Sequence, residues 1–270
     1  LPAYVMSEYQ GKSDLVLQPN ITTRFILFNV TKAPFNNDKV RRAISMALSR
    51  AEICKTVGDD YEASTQFIAK YMLSNLGTGK KFSDESGEMV TEDIAKAKSL
   101  LAEAGYPNGA GFPTVTYNYP NNEQDKLIAQ AIQAQLKSAL NINVELNGME
   151  SQVCVSERKS GNFDMTRHNW TADYDDAMDY LLMWTSTSGL NDAGIKDVDY
   201  DKLCEDATAE LDETKRNTIM HDAEKLLVTD KAYVAPLATN KTICLLNPKY
   251  TGYSFDSAGQ ILLKFIKAAE

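Results

Sequence analysis

Between Thr114 and Arg167 the sequence alternates strand and helix signals in the order β-α-β-α-β, and that order leaves few folds open. Thr114-Val-Thr-Tyr-Asn-Tyr119 is rich in β-branched and aromatic residues, Glu123 to Leu140 has helical spacing, and Asn143-Val-Glu-Leu146 is strand-like again. Glu150 to Ser160 predicts a second helix, and Phe163-Asp-Met-Thr-Arg167, running on through His168 to Asn169, a third strand. Strands joined through helices pair in parallel with right-handed crossovers, which gives an open α/β sheet. Such sheets bind ligands beyond the carboxyl ends of their strands. The stretch Asn169-Trp-Thr-Ala-Asp-Tyr-Asp-Asp176 falls at that edge and leads into a helix expected from about Asp175. Trp170 offers a flat apolar wall, and Asp173 a charge able to hold an ammonium group. The competing reading of Asp173 is an N-cap on the helix that follows.

The flanks continue the alternation. Arg24-Phe-Ile-Leu-Phe-Asn-Val30 predicts a strand. After Pro34, Asn37 or Asp38 can cap a helix from about Lys39 whose Val40, Ala43, Ile44, Ala47 and Leu48 share one face. Residues 59–90 hold no sustained period and are expected to cross the surface as a long excursion, a kind of segment that often carries function. Thr91 is expected to cap a helix from Glu92 to Ala104, stopped by Gly105. Helices near 175–185, 199–212 and 214–230 are expected next, then strands at Ala232 to Leu237, Thr242 to Leu246 and Ile261 to Ile266.

Composition narrows the function. The 28 basic and 37 acidic residues leave a formal charge of −9, which argues against nucleic acid as a partner because that binding rests on Lys and Arg at phosphates. No apolar run approaches the length of a membrane span. His168 and His221 are the only histidines, and neither accompanies a nucleophile elbow. No glycine-rich phosphate loop is present, and His168 with Asp173 and Asp175 makes a poor metal set without a second His or Cys. No cofactor and no metal are expected, and catalysis finds little support. Cys54, Cys154, Cys204 and Cys244 are widely scattered. Two disulfides in any of three connectivities, or free thiols, are both compatible with that spacing.

Several separated stretches together resemble the extracellular solute-binding proteins of family 5, the oligopeptide- and dipeptide-binding receptors of ABC importers. Ala33-Pro-Phe35 followed by Asn36-Asn-Asp-Lys-Val-Arg-Arg-Ala-Ile-Ser-Met-Ala-Leu-Ser-Arg50 is similar to the family's signature helix. Ala95-Lys-Ala-Lys-Ser-Leu-Leu-Ala-Glu-Ala-Gly-Tyr-Pro107 resembles its next helix and turn. Gly161 to Met165, then Trp170, Ala172, Asp173 and Tyr174, match its strand and cleft motif. Tyr200-Asp-Lys-Leu203, Leu226-Leu-Val-Thr-Asp230 and Val234-Ala-Pro-Leu237 complete the set.

The resemblance implies an α/β periplasmic-binding-protein fold of type II, of which this chain would hold mainly the second lobe. On that reading residues 1–28 are a hinge strand and remnant of the first lobe, 29–237 the second, ligand-binding lobe, and 238–270 return strands of the first lobe. The chain opens Leu1-Pro-Ala-Tyr, and the expectation is a processed product or an excised piece. The resemblance also implies a short peptide ligand, an ABC importer permease as membrane partner, a monomer, and a lipid-anchored extracellular or a periplasmic location. Asp173 would hold the ligand's α-ammonium group, Trp170 would wall a side-chain pocket, and Arg167 would meet a carboxylate. His168, Asn169 and Tyr174 complete the expected ligand contacts. The alternatives within the family are a nickel complex, a sugar or a signalling peptide; a hydrolase is the alternative outside it.

Overall fold

The computed structural model describes residues 8–9, 11–58, 61–75, 79–256 and 258–269. Strand β1 (Leu15–Phe28) is the spine. It runs antiparallel between β7 (Met165–Thr171) and β8 (Val234–Leu245). Beyond β7 lie β5 (Val115–Pro120) and β6 (Val144–Met149), both parallel to it, and beyond β8 lies the short β2 (Tyr61–Ala63). The six-stranded order is β2-β8-β1-β7-β5-β6. The expected parallel β-α-β-α-β unit is therefore present, as one half of a mixed sheet. A small hairpin, β3 (Leu73–Asn75) with β4 (Lys80–Lys81), stands apart from the main sheet.

Both faces of the sheet are covered, and this explains the unbroken apolar run Phe25-Ile-Leu-Phe28. Side chains alternate across a strand, so Ile26 and Phe28 enter one core and Ile21, Phe25 and Leu27 the other. The first core is closed by α1 (Asp38–Ala47), α2 (Arg50–Lys55), α4 (Ile94–Glu103) and the long α5 (Glu123–Leu140). The second gathers Tyr180, Trp184, Tyr200, Met220 and Leu227 from the short α7 (Met178–Leu181), the turn after it, α8 (Val198–Ala209), α9 (Glu213–Lys225) and the π turn that follows. Helix α6 (Ser151–Lys159) links β6 to β7.

Capping follows local chemistry. The Asn37 side chain accepts from the Lys39 amide at 2.9 Å, and Asn122 from the Asp125 amide at 2.9 Å. Helix α4 starts two residues later than expected because Asp93, and not Thr91, takes the cap, accepting from the Lys96 amide. Gly105, at φ +97, ends it in a conformation that L side chains rarely adopt.

Four expectations need correction. The two late strands at 232–237 and 242–246 are one continuous β8. Ile261 to Ile266 contributes only the pair Ile261–Leu262, half-buried and exposed in turn, which joins Ser254–Phe255 in a separate two-stranded sheet. The 175–185 helix shrinks to α7 and a 3-10 turn, since Asp173 to Asp176 use their side chains and backbone in bends. The segment 61–90 is no mere surface excursion: Phe67, Ile68, Met72 and Phe82 are buried in the second core. It shows no period because it inserts isolated side chains and not a helical face; its one helix, α3 (Phe82–Ser86), is a single short turn. All four cysteines are free thiols, three of them buried.

Candidate functional site

The carboxyl ends of β5 and β7 and the amino end of α5 converge at one edge of the sheet, and β7 carries most of the expected ligand residues. It runs on to Thr171, so His168, Asn169 and Trp170 belong to the strand itself. Alternation then divides them. Arg167 and Asn169 project to the α5 face, His168 and Trp170 to the opposite face.

His168 is buried between Phe25, 4.9 Å away centroid to centroid, and Trp184 at 6.5 Å. Burial, with Arg158 and Arg167 adding to it, pushes the imidazole well below its ordinary value, so it is neutral. It packs the core, and the structure removes it from the ligand contacts. Trp170 is half-buried on the same face, and its indole Nε1 donates to Asp179 Oδ2 at 2.8 Å. The same oxygen accepts the Asp173 amide at 3.1 Å. Asp179 thus fixes both the ring and the turn that presents Asp173. The strand end is further pinned by the Ala172 amide on the Ile21 carbonyl, 3.2 Å, and by the paired hydroxyls of Thr22 and Thr171, 2.7 Å.

Asp173 is exposed, and among the described residues its carboxylate makes no hydrogen bond or ion pair. The short helix α7 has no side-chain cap, and the hydrogen bonds of this turn are made by the neighbours of Asp173. Asp176 accepts the Met178 amide at 2.8 Å and pairs with Arg216 at 2.9 Å, while Asp175 accepts the Leu73 amide at 3.2 Å. That last bond, with Asn217 donating to the Ser74 carbonyl at 3.3 Å, brings the β3–β4 hairpin alongside the Asp173 turn. Tyr174 is exposed beside Asp173.

On the other face Arg167 enters a charge cluster that the sequence alone does not reveal. Asp125, in the first turn of α5, pairs with Arg24 of β1 and accepts from Arg167 Nε at 3.2 Å. The exposed fractions of these side chains are 2% for Asp125, 5% for Arg24 and 22% for Arg167. Arg24 also donates to the Tyr61 hydroxyl at 2.9 Å, Arg167 donates to Asn169, and Asn122 donates to the second Asp125 oxygen at 2.7 Å. Among the described residues two guanidinium groups share one carboxylate, which leaves one positive charge without an acidic partner there. Burial and the neighbouring Arg24 lower the Arg167 guanidinium from its ordinary value. An arginine still stays charged at neutral pH, and a further carboxylate is the partner this cluster lacks. Arg24, heading the apolar run Phe25-Ile-Leu-Phe28, was the available sequence signal; no local pattern marks Asp125 or Asp179.

The chain matches the profile described as bacterial extracellular solute-binding proteins, family 5 Middle, over residues 2–192. It is similar to the dipeptide-binding protein DppE of Bacillus subtilis, 29% identical over 267 residues, covering 98% of this chain and 49% of the relative. It is also similar to the probable deoxycholate-binding periplasmic protein YgiS of Escherichia coli, 31% identical over 242 residues, covering 89% of this chain and 44% of that one. The solved structure of the Escherichia coli murein tripeptide binding protein MppA superposes with a TM-score of 0.81 at 27% identity, over 94% of this chain and 49% of the other. The chain thus spans about half the length of the relatives it matches.

Proposed function

The chain belongs to the bacterial extracellular solute-binding proteins of family 5, and on that premise we propose that it is the ligand-binding lobe of a substrate-capture receptor that takes short peptides for an ABC importer. The observation that carries the reading is the Asp173 carboxylate, exposed, without a protein partner among the described residues, and held in place through its own backbone by Asp179. A peptide α-ammonium group supplies the missing counter-charge. Trp170 and Tyr174 give the apolar flank beside it, and Arg167 with Asn169 offers a carboxylate its partner on the other face. The ligand backbone is held in the manner of an added strand, with wet pockets for side chains. This assigns binding and not catalysis.

The division into lobes is part of the same proposal. Thr23–Leu27 pairs on both sides inside the sheet, whereas Leu15–Pro19 pairs only with Lys241–Leu245 among the described residues. We place the hinge in that two-stranded ribbon, with residues before it and after it directed to the first lobe. Closure about such a hinge is the signal an importer permease reads. We further propose a monomer, periplasmic or lipid-anchored outside the cell; no helix among the described residues is long and apolar enough to cross a membrane.

The test is calorimetry on the full-length protein. Removing one side of a desolvated charge pair costs roughly 2–5 kcal/mol, so Asp173→Ala and N-acetylation of the peptide are each expected to weaken binding at least thirtyfold. Unchanged affinity in both would refute the ammonium assignment. A second reading, a non-peptide solute, is favoured by the likeness to a probable deoxycholate-binding protein; binding of a bile acid with no response to any free or acetylated peptide would establish it.

A further inference from the structure

A second cavity lies at the opposite pole of the lobe, where β1 ends and β7 begins. Phe28 faces Met165 there, whereas Thr22 faces Thr171 at the candidate ligand edge; six residues of strand separate the two by roughly 20 Å. The cavity measures about 430 Å³, and its charged lining is Arg41, Lys196, Lys231 and Asp38. Three cations against one carboxylate make a local excess of positive charge in a chain whose formal charge is −9.

Arg41 makes this a built feature. It is 3% exposed. Its Nε donates to the carbonyls of Lys231 and Ala232 at 3.0 and 3.2 Å, its Nη1 to the Phe35 carbonyl at 2.6 Å, and Tyr233 lies against the guanidinium plane at 4.8 Å. Its Nη2 donates to nothing among the described residues. Of the nearby carboxylates, Asp38 lies 3.9 Å from Arg42 and also acts on Arg41, and Asp197 accepts the Tyr233 hydroxyl at 2.9 Å. Lys196 and Lys231 form no ion pair among the described residues. Burial pushes the Arg41 guanidinium down to about 10, with Asp38 and Tyr233 only partly offsetting it. A nearly buried guanidinium with a free edge, flanked by two ammonium groups, is the arrangement that recognises tetrahedral oxyanions.

We propose that this polar cavity, built on Arg41 and flanked by Lys196 and Lys231, is a second site that binds a phosphate group, from a soluble phosphate compound or a phospholipid headgroup. The probe is inorganic pyrophosphate, titrated by calorimetry at low ionic strength into the 270-residue chain. Saturable one-to-one binding is expected, weakened at least tenfold in Lys196→Ala/Lys231→Ala. Arg41 is left intact because its substitution would release three backbone carbonyls of the fold. Urea unfolding of the double variant checks that the fold is retained. No saturable heat at 10 mM pyrophosphate, or affinity of a folded double variant within twofold of wild type, would overturn the site. Where pyrophosphate binds, flotation with phosphatidylglycerol vesicles separates the sources. Co-flotation lost in the double variant supports a headgroup ligand, and absence of flotation supports a soluble one.

Discussion

Glu224→Gln should change the pH dependence of folding more than it changes the fold. Glu224 on α9 is fully buried, and its Oε1 accepts the amides of Phe67 and Ile68 at 2.8 and 2.9 Å. Its Oε2 is buried without a partner. Burial raises the carboxyl from 4.5 to about 7, although both amide bonds oppose the shift. Between those values the folded chain keeps a proton that the unfolded chain has released. The contribution to stability is therefore complete below pH 4.5 and is lost as pH rises toward 7, after which it is flat. At about 1.4 kcal/mol per pH unit, that interval is worth roughly 3 kcal/mol. Glutamine keeps the acceptor oxygen but cannot ionise. Urea denaturation should accordingly show the stability difference between variant and wild type moving in favour of Gln by roughly 2–3 kcal/mol from pH 5 to pH 8. Once the intrinsic rise of amide exchange with pH is divided out, protection of the Phe67 and Ile68 amides should fall over the same interval in wild type alone. A difference constant to within about 0.5 kcal/mol across that range would refute the reasoning. The outcome bears on the ligand edge, because the anchored segment carries Leu73 and Ser74 to the Asp173 turn.

Two further substitutions probe the site itself. Asp125→Ala should destabilise by about 3–5 kcal/mol, since it strands the nearly buried Arg24 with Arg167 beside it; a loss under about 1 kcal/mol in guanidinium denaturation would show that water compensates the pair. Asp179→Ala should cost about 1–2 kcal/mol by freeing the Trp170 indole and the Asp173 amide. It should also shift Trp fluorescence, and in the full-length protein weaken peptide binding without abolishing it; an unchanged spectrum would count against Asp179 as the positioning group.

Much of this architecture was legible before any coordinates. The β-α-β-α-β unit and the Asn37 cap both rest on local signals, namely period and capping chemistry. Those signals act over a few residues, and the sequence displays them directly. The strand β7 itself reads from the sequence as far as Asn169; its last two residues, Trp170 and Thr171, were not legible, because no alternating apolar face marks them as strand. Pairing with β1, which runs alongside as far as Thr22 opposite Thr171, makes them strand.

By itself, then, the sequence determined the class of fold and the family, and it put the Asp173 turn at the carboxyl edge of the sheet. Only the tertiary structure decided which residues face that edge. A strand sends alternate side chains to opposite faces, so His168 entered the core while Arg167, one residue away, met Asp125 from a helix more than forty positions earlier in the chain. Charge pairing of that kind depends on distance in space, and no local pattern encodes it. The same holds for Asp173: its sequence context fits a helix cap as well as a ligand anchor, and it stands free because Asp175 and Asp176 take up the local hydrogen bonds and Asp179 holds its backbone.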